Sequence, residues 1–227
     1  SSHFENVTGL DDTTKNHVTS ALDIALMSRE LLKHETILKY ASLWQDSIRD
    51  GAFVLTNTNR LVRYYEGCNG LKTGSTAKAG YCVSASAKRG NTQLIAVIMG
   101  AENRDARNAA ARALLDYGFG NFALYENPEA ELEKIPVLGG YSDFVTVKNR
   151  PFCKVVEKSA VGAVEKVYEI PEKIKAPVTE GDAVGRISYR IGDETIGESE
   201  IYAVVDVGKI TFGEIFLRLI KNILIGG

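Results

Sequence analysis

The chain has 227 residues, of which 44% are hydrophobic and 25% charged, and its formal net charge is -2. This is a globular profile with enough length for one large domain or two small ones. The near-neutral, mixed charge argues against a nucleic-acid binder, which would carry a basic face. No apolar run reaches the roughly 18 residues that a membrane-spanning helix needs.

The opening SSHFENVTGLDD is polar and lacks the pattern of a signal peptide. A helix is predicted over residues 19–33. Ser20 and Asp23 have the spacing of a capping box, and Ala21, Ile24, Ala25, Met27, Ser28, Leu31 and Leu32 give a wide apolar face. Phe53-Val54-Leu55 reads as a short strand. Residues 81–88 alternate, with Tyr81, Val83, Ala85 and Ala87 on one face and Cys82, Ser84 and Ser86 on the other. Arg89-Gly90-Asn91 signals a turn. Leu94-Ile95-Ala96-Val97-Ile98-Met99 is apolar on both faces and reads as a central strand covered on both sides. Asn103 or Asp105 caps a helix predicted to run to Tyr117 and to stop at Gly118.

Every proline lies at or after Pro128, which sets a domain boundary near residues 125–129. Short strand-like runs follow, at residues 144–147, 154–156, 183–189 and 200–205, and Gly192-Asp193 fits a hairpin turn. This part reads as a separate all-β sandwich. In the tail, Phe212, Ile215, Phe216, Leu219, Ile223 and Leu224 fall on or near one helical stripe, while Glu214, Arg218, Lys221 and Asn222 face away. Such a helix either lies on a membrane surface or docks on protein. The expected organisation is 1–125, 126–209 and 210–227.

Cys68, Cys82 and Cys153 are an odd set without Cys-x-x-Cys spacing, and only His3, His17 and His34 could assist them. Neither a zinc site nor any other metal site or cofactor is expected.

The window GCNGLKTGSTAKAGY, residues 67–81, concentrates glycines, hydroxyls and a lysine. A phosphate loop needs Gly-Lys-Ser/Thr in direct succession and a helix behind it. Leu71 interrupts the first, and predicted strands replace the second. The other reading is a Lys-Thr-Gly strand at a sheet edge beside a cleft. Lys72 supplies positive charge for a substrate carboxylate, and Thr73 adds a hydroxyl donor. Gly74 lets the substrate backbone approach, and the Ser75 N–H can face a developing oxyanion. An edge strand can also pair with an extended peptide.

Gly-x-Lys-Thr-Gly-x-Thr-x-x-Ala-Gly-Tyr followed by an alternating strand resembles the serine D-alanyl-D-alanine carboxypeptidases, the low-molecular-mass penicillin-binding proteins. The likeness extends to His3-Phe4-x-Asn6-x-x-Gly9-Leu10-Asp11, to Thr56-Asn57-Thr58-Asn59, and to the helix of Arg107 ending Leu114-Leu115-Asp116-Tyr117-Gly118-Phe119. The sandwich and amphipathic tail resemble the family's second domain and membrane-anchoring helix.

The resemblance implies an α/β (α+β) transpeptidase-like domain with antiparallel sheet and helices, partial here. It also implies an enzyme on the outer face of the cytoplasmic membrane that removes the terminal D-alanine of peptidoglycan stem peptides through an acyl-enzyme and is blocked by β-lactams. By resemblance, Lys72 and Thr73 hold the substrate carboxylate, Ser75 lends its N–H to the oxyanion hole, and Arg107, a substrate-binding candidate, falls where the family has an arginine near the site. A plain helix-surface charge is the alternative for Arg107.

The family's Ser-x-x-Lys and Ser-x-Asn motifs precede Lys-Thr-Gly, and neither stands there in this sequence. Ser75-Thr76-Ala77-Lys78 lies inside the Lys-Thr-Gly block and reads as coincidence. The nucleophile is therefore expected from a preceding segment or a second chain, and this chain alone is expected to be inactive. Its central apolar strand is expected to be exposed unless another chain covers it. If residues 76–79 form a turn, Cys82 lies near Thr73 and far along the ladder from Cys68. A Cys68–Cys82 disulfide is then not expected. The alternatives are a non-catalytic peptidoglycan- or protein-binding module and a class A β-lactamase relative.

Overall fold

The computed structural model describes residues 2–10 and 14–225, without the side chains of 218, 219 and 221–225. Asp11 of the quoted opening motif lies outside the described residues. The chain divides into two compact units, Ser1–Phe122 and Ala123–Gly227.

The first unit begins with α1 (Ala21–Leu31), capped by Ser20, whose hydroxyl accepts the Asp23 N–H at 3.1 Å. The Asp23 carboxylate accepts from Ser2 Oγ at 2.6 Å. The sequence reading lacked the next two elements, α2 (Glu35–Ala41) and β1 (Gln45–Ile48), because short segments carry too little periodicity. β1 pairs antiparallel with β2 (Phe53–Thr56), and α3 (Leu61–Tyr64) leads into the sheet.

That sheet is a meander of β3 (Cys68–Thr76), β4 (Gly80–Arg89) and β5 (Thr92–Ala101). Both turns are tight: residues 77–79 join β3 to β4, and Gly90 adopts φ +56° between β4 and β5. The unit closes with α4 (Arg104–Asn121), capped by Asn103 Oδ1, which accepts from the N–H groups of Asp105 and Ala106.

Alternation along β4 assigns its two faces. Val83, Ala85 and Ala87 are buried with Ala111, Leu115 and Phe119 of α4. On the other face Ser84 Oγ and Ser28 Oγ of α1 share a hydrogen bond of 2.7 Å.

Two expectations need correction. β5 is not left exposed for another chain to cover, because α1 and α4 of this chain pack on it, which explains its apolar composition; and it is an edge of the described three-stranded sheet, with β4 as the central strand. Residues apolar on both faces report two covering layers, not a neighbour at each edge. Secondly, α4 runs past Gly118 to Asn121. A Cβ at Gly118 would stand 2.6 Å from Leu94 Cδ1, so this glycine serves close packing on β5 rather than helix termination. α1 also leaves Leu22, Leu26, Met27 and Leu31 exposed, an apolar face directed away from the sheet it packs on.

The second unit carries β6 (Phe122–Asn127), β7 (Ile135–Leu138), β8 (Phe144–Val145), β9 (Val147–Asn149), β10 (Phe152–Glu157), β11 (Val164–Glu169), β12 (Ile174–Lys175), β13 (Ala183–Ile191) and β14 (Glu194–Ala203). A four-stranded sheet in the order β11-β13-β14-β9 faces a three-stranded one in the order β12-β7-β8, and β6 pairs with β10. Val147, Ile187, Tyr189, Ile201 and Ala203 from the first share one core with Ile135, Val137 and Val145 from the second, forming a β-sandwich. Gly192-Asp193 makes the β13–β14 hairpin, with Gly192 at φ +58°.

The chain ends with α5 (Phe212–Ile225), whose first turn is closed by Glu214 Oε2 accepting from Thr211 N and Oγ1. Phe212 is 83% exposed, and Ile215, Phe216 and Leu217 are exposed too. The predicted stripe positions Leu219, Ile223 and Leu224, with Arg218, Lys221 and Asn222 opposite, have side chains outside the described residues. Among the described residues no helix is long and apolar enough to cross a membrane.

Candidate active site

Lys72, Thr73, Gly74 and Ser75 all lie on β3, which has a strand neighbour, β4, on one side among the described residues. The register sets Lys72 opposite Ser84, Thr73 opposite Val83, Gly74 opposite Cys82 and Ser75 opposite Tyr81. Lys72, Gly74 and Ser75 are exposed and Thr73 is buried. A Cβ at Gly74 would meet nothing within 4 Å, so the backbone there fronts open space. Lys72 Nζ donates to the Thr73 carbonyl oxygen. Ser75 and Thr76 belong to the strand, while Ala77 and Lys78 form its turn, with Thr76 Oγ1 accepting from Ala79 N at 2.9 Å. Ser75-Thr76-Ala77-Lys78 is thus not a helical motif.

Thr73 has a partner that carried no assigned role in the sequence reading. Its hydroxyl shares a 2.6 Å hydrogen bond with Thr58 Oγ1. Two asparagines hold Thr58 there. Asn57 Nδ2 donates to the carbonyls of Ala41 and Leu43, and its Oδ1 accepts Asn59 N at 2.9 Å. Asn59, nearly fully buried, donates from Nδ2 to Gly70 O at 2.9 Å and accepts Leu61 N. The signal was the Asn-x-Asn pattern itself. Two short amides that can each bridge backbone groups on either side fix the residue between them.

Arg107 is 3% exposed, which rules out the helix-surface alternative. Its guanidinium donates from Nη1 to Cys82 O at 3.5 Å, and from Nε and Nη2 to Asn108 Oδ1 at 3.2 and 3.0 Å. Because Cys82 stands opposite Gly74, Arg107 comes to the strand next to the Lys-Thr-Gly strand. Burial, then the like charge of Arg104 and more weakly that of Arg60, hold its pKa below the usual guanidinium value. The cysteines are all free. Cys68 pairs in register with Ala87, well along the ladder from Cys82, and burial pushes its thiol pKa up.

The edge strand thus offers cationic charge, a hydroxyl pair and an open glycine backbone, with a buried guanidinium behind it. Along the chain, the helix-covered sheet with this edge is followed by a β-sandwich. Residues 1–103 match the family model described as D-alanyl-D-alanine carboxypeptidase, and residues 119–209 match the model of the penicillin-binding protein 5 C-terminal domain.

The chain is 36% identical over 217 residues to the D-alanyl-D-alanine carboxypeptidase DacF of Bacillus subtilis, covering 92% of itself and 55% of that protein. It is 30% identical over 223 residues to DacD of Escherichia coli, covering 96% of itself and 56% of that protein. Among solved structures, penicillin binding protein 5 from Haemophilus influenzae matches with a TM-score of 0.72 at 27% identity, over 88% of this chain and 59% of that one. Penicillin binding protein 6B from Escherichia coli matches with a TM-score of 0.60 at 27% identity, over 90% and 54%. The chain is similar to the D-alanyl-D-alanine carboxypeptidases over its first matched segment and to the penicillin-binding protein 5 C-terminal domain over its second. It spans about half the length of the curated relatives it matches.

Proposed function

We propose that this chain is the substrate-strand part of a serine D-alanyl-D-alanine carboxypeptidase that trims the terminal D-alanine from peptidoglycan stem peptides. The observation that carries this is the Lys-Thr-Gly sequence on an exposed sheet edge, with Thr73 bonded to Thr58 and the buried Arg107 behind it. In this reading an extended peptide pairs with β3. Its terminal carboxylate is met by Lys72, by the Thr73 hydroxyl and by the field of Arg107. Gly74 leaves room for the substrate backbone, and the Ser75 N–H points at the carbonyl oxygen that gains charge in the tetrahedral intermediate. The attacking serine forms and later releases an acyl-enzyme, and it comes from sequence outside these 227 residues, because no Ser-x-x-Lys precedes Lys72. A β-lactam would enter the same groove.

Residues 1–125 then form the latter part of the catalytic domain, 126–209 the sandwich and 210–227 a helix that lies on the outer face of the cytoplasmic membrane. The amphipathic composition of α5 supports a surface-lying helix.

Two measurements test the reading. Calorimetry should detect binding of diacetyl-Lys-D-Ala-D-Ala and not of its L-Ala-L-Ala isomer; equal heats for both would overturn it. Incubation with a fluorescent penicillin should leave the intact mass of the chain unchanged. A covalent adduct would show that the nucleophile lies within these residues after all.

A further inference from the structure

The loop after β2 carries a charge that the proposed site does not use. Thr58 is bonded to Thr73, and Asn59 to Gly70, so Arg60 is held beside β3. Its guanidinium reaches the first turn of α4, where Nη1 lies 3.7 Å from Asp105 Oδ1. Arg104 precedes Asp105 and is three residues from Arg107, a spacing that sets Arg104 and Arg107 on one flank of the helix. Arg60 and Arg104 are exposed, and both lie close enough to Arg107 to act on it as like charges. The hydrogen bonds described for Arg107 end on neutral oxygens. Against Lys72, Arg60, Arg104 and Arg107 stand Asp105 and, at the end of β5, Glu102. This end of the strand therefore holds more positive charge than one peptide carboxylate neutralises.

We infer that Arg60 and Arg104 form a subsite for a second free carboxylate on the bound peptide, so that the strand selects acidic stem peptides over their amidated forms. The inference rests on the reading of β3 as the strand that binds a peptide C-terminus. Lys72, Thr73 and Arg107 take the terminal carboxylate, and Arg60 and Arg104 take one carried by a side chain or branch further from the end. The Arg60–Asp105 pair is no obstacle. It is long and solvent-exposed on both sides, so Arg60 exchanges Asp105 for a ligand carboxylate readily. Amidation of that ligand group removes the charge but little volume, which makes the preference electrostatic.

The test is calorimetry on the 227-residue chain with acetyl-Glu-D-Ala-D-Ala and acetyl-Gln-D-Ala-D-Ala. At low salt the glutamate peptide should bind about fivefold more tightly, and the difference should fade in about 1 M NaCl. Arg60→Gln and Arg104→Gln should each shrink it, and together abolish it, while weakening the glutamine peptide much less than the glutamate peptide. Thr73→Val should weaken both peptides alike. Equal binding of the two peptides by the unaltered chain would overturn the second-carboxylate subsite and leave the proposed function standing. Binding of neither would overturn both. Unchanged discrimination in the double variant, with an unchanged melting temperature, would assign the preference to other residues and overturn the subsite.

Discussion

Thr73 illustrates how much one side chain draws from its surroundings. Its hydroxyl oxygen is placed by Thr58, which is fixed by Asn57 and Asn59, so when Thr58 donates to it the Thr73 proton is left for a ligand carboxylate. Thr73→Val keeps the shape and removes the hydroxyl. A hydrogen bond to a charged group is worth about 1.5–3 kcal/mol, so peptide affinity measured by calorimetry should fall at least about tenfold. Tyr65 shows a different residue-scale effect. Its ring is buried, its hydroxyl donates to Asp116 Oδ1 at 2.8 Å, and burial and then that hydrogen bond push its pKa up to about 12. A raised folded-state pKa means the neutral phenol is favoured in the fold. The stability this gives is complete below the ordinary tyrosine value near 10 and is lost as pH climbs toward about 12. Urea unfolding of the chain and of Tyr65→Phe should therefore show a smaller loss of stability across that window in the variant.

At the scale of elements, the β13–β14 hairpin depends on a glycine outside its turn. Phe152 stacks on Tyr189 at 4.0 Å between centroids, and a Cβ at Gly197 would come within 2.4 Å of the Phe152 ring. Tyr189 is fully buried, with its hydroxyl bonded to Ser199 and Asn127, so the ring pair has little freedom to move aside. Gly197→Ala should cost about 1–3 kcal/mol of stability, read as a lower urea midpoint for the sandwich. The same reasoning explains why α4 continues through Gly118. Sequence marks that residue as a helix stop, whereas the neighbouring Leu94 makes it a close-packing position. Local rules give a glycine's conformational preference but not what lies across from it.

For the whole molecule, α5 is the clearest case of a surface in need of a partner. Phe212, Ile215, Phe216 and Leu217 stay exposed on a helix with no span-length apolar run. A chain ending at residue 209 should lose flotation with phosphatidylglycerol vesicles while keeping its affinity for a D-Ala-D-Ala peptide. Retained flotation would assign membrane contact elsewhere.

Sequence by itself determined the Lys-Thr-Gly strand, its alternating partner, the helix of Arg107, the strand-rich second half and the amphipathic tail. Each of these is written in local spacing, turn residues or caps, which nearby atoms enforce. The tertiary structure alone decided that β4 and not β5 is the central strand, because edge and centre depend on which strands pair and not on composition. It alone buried Arg107 against Cys82 and joined Thr58 to Thr73, since these contacts cross 25 and 15 residues of chain. No periodic pattern reaches that far. Only the path of the folded backbone brings the charge and the hydroxyls to one strand edge.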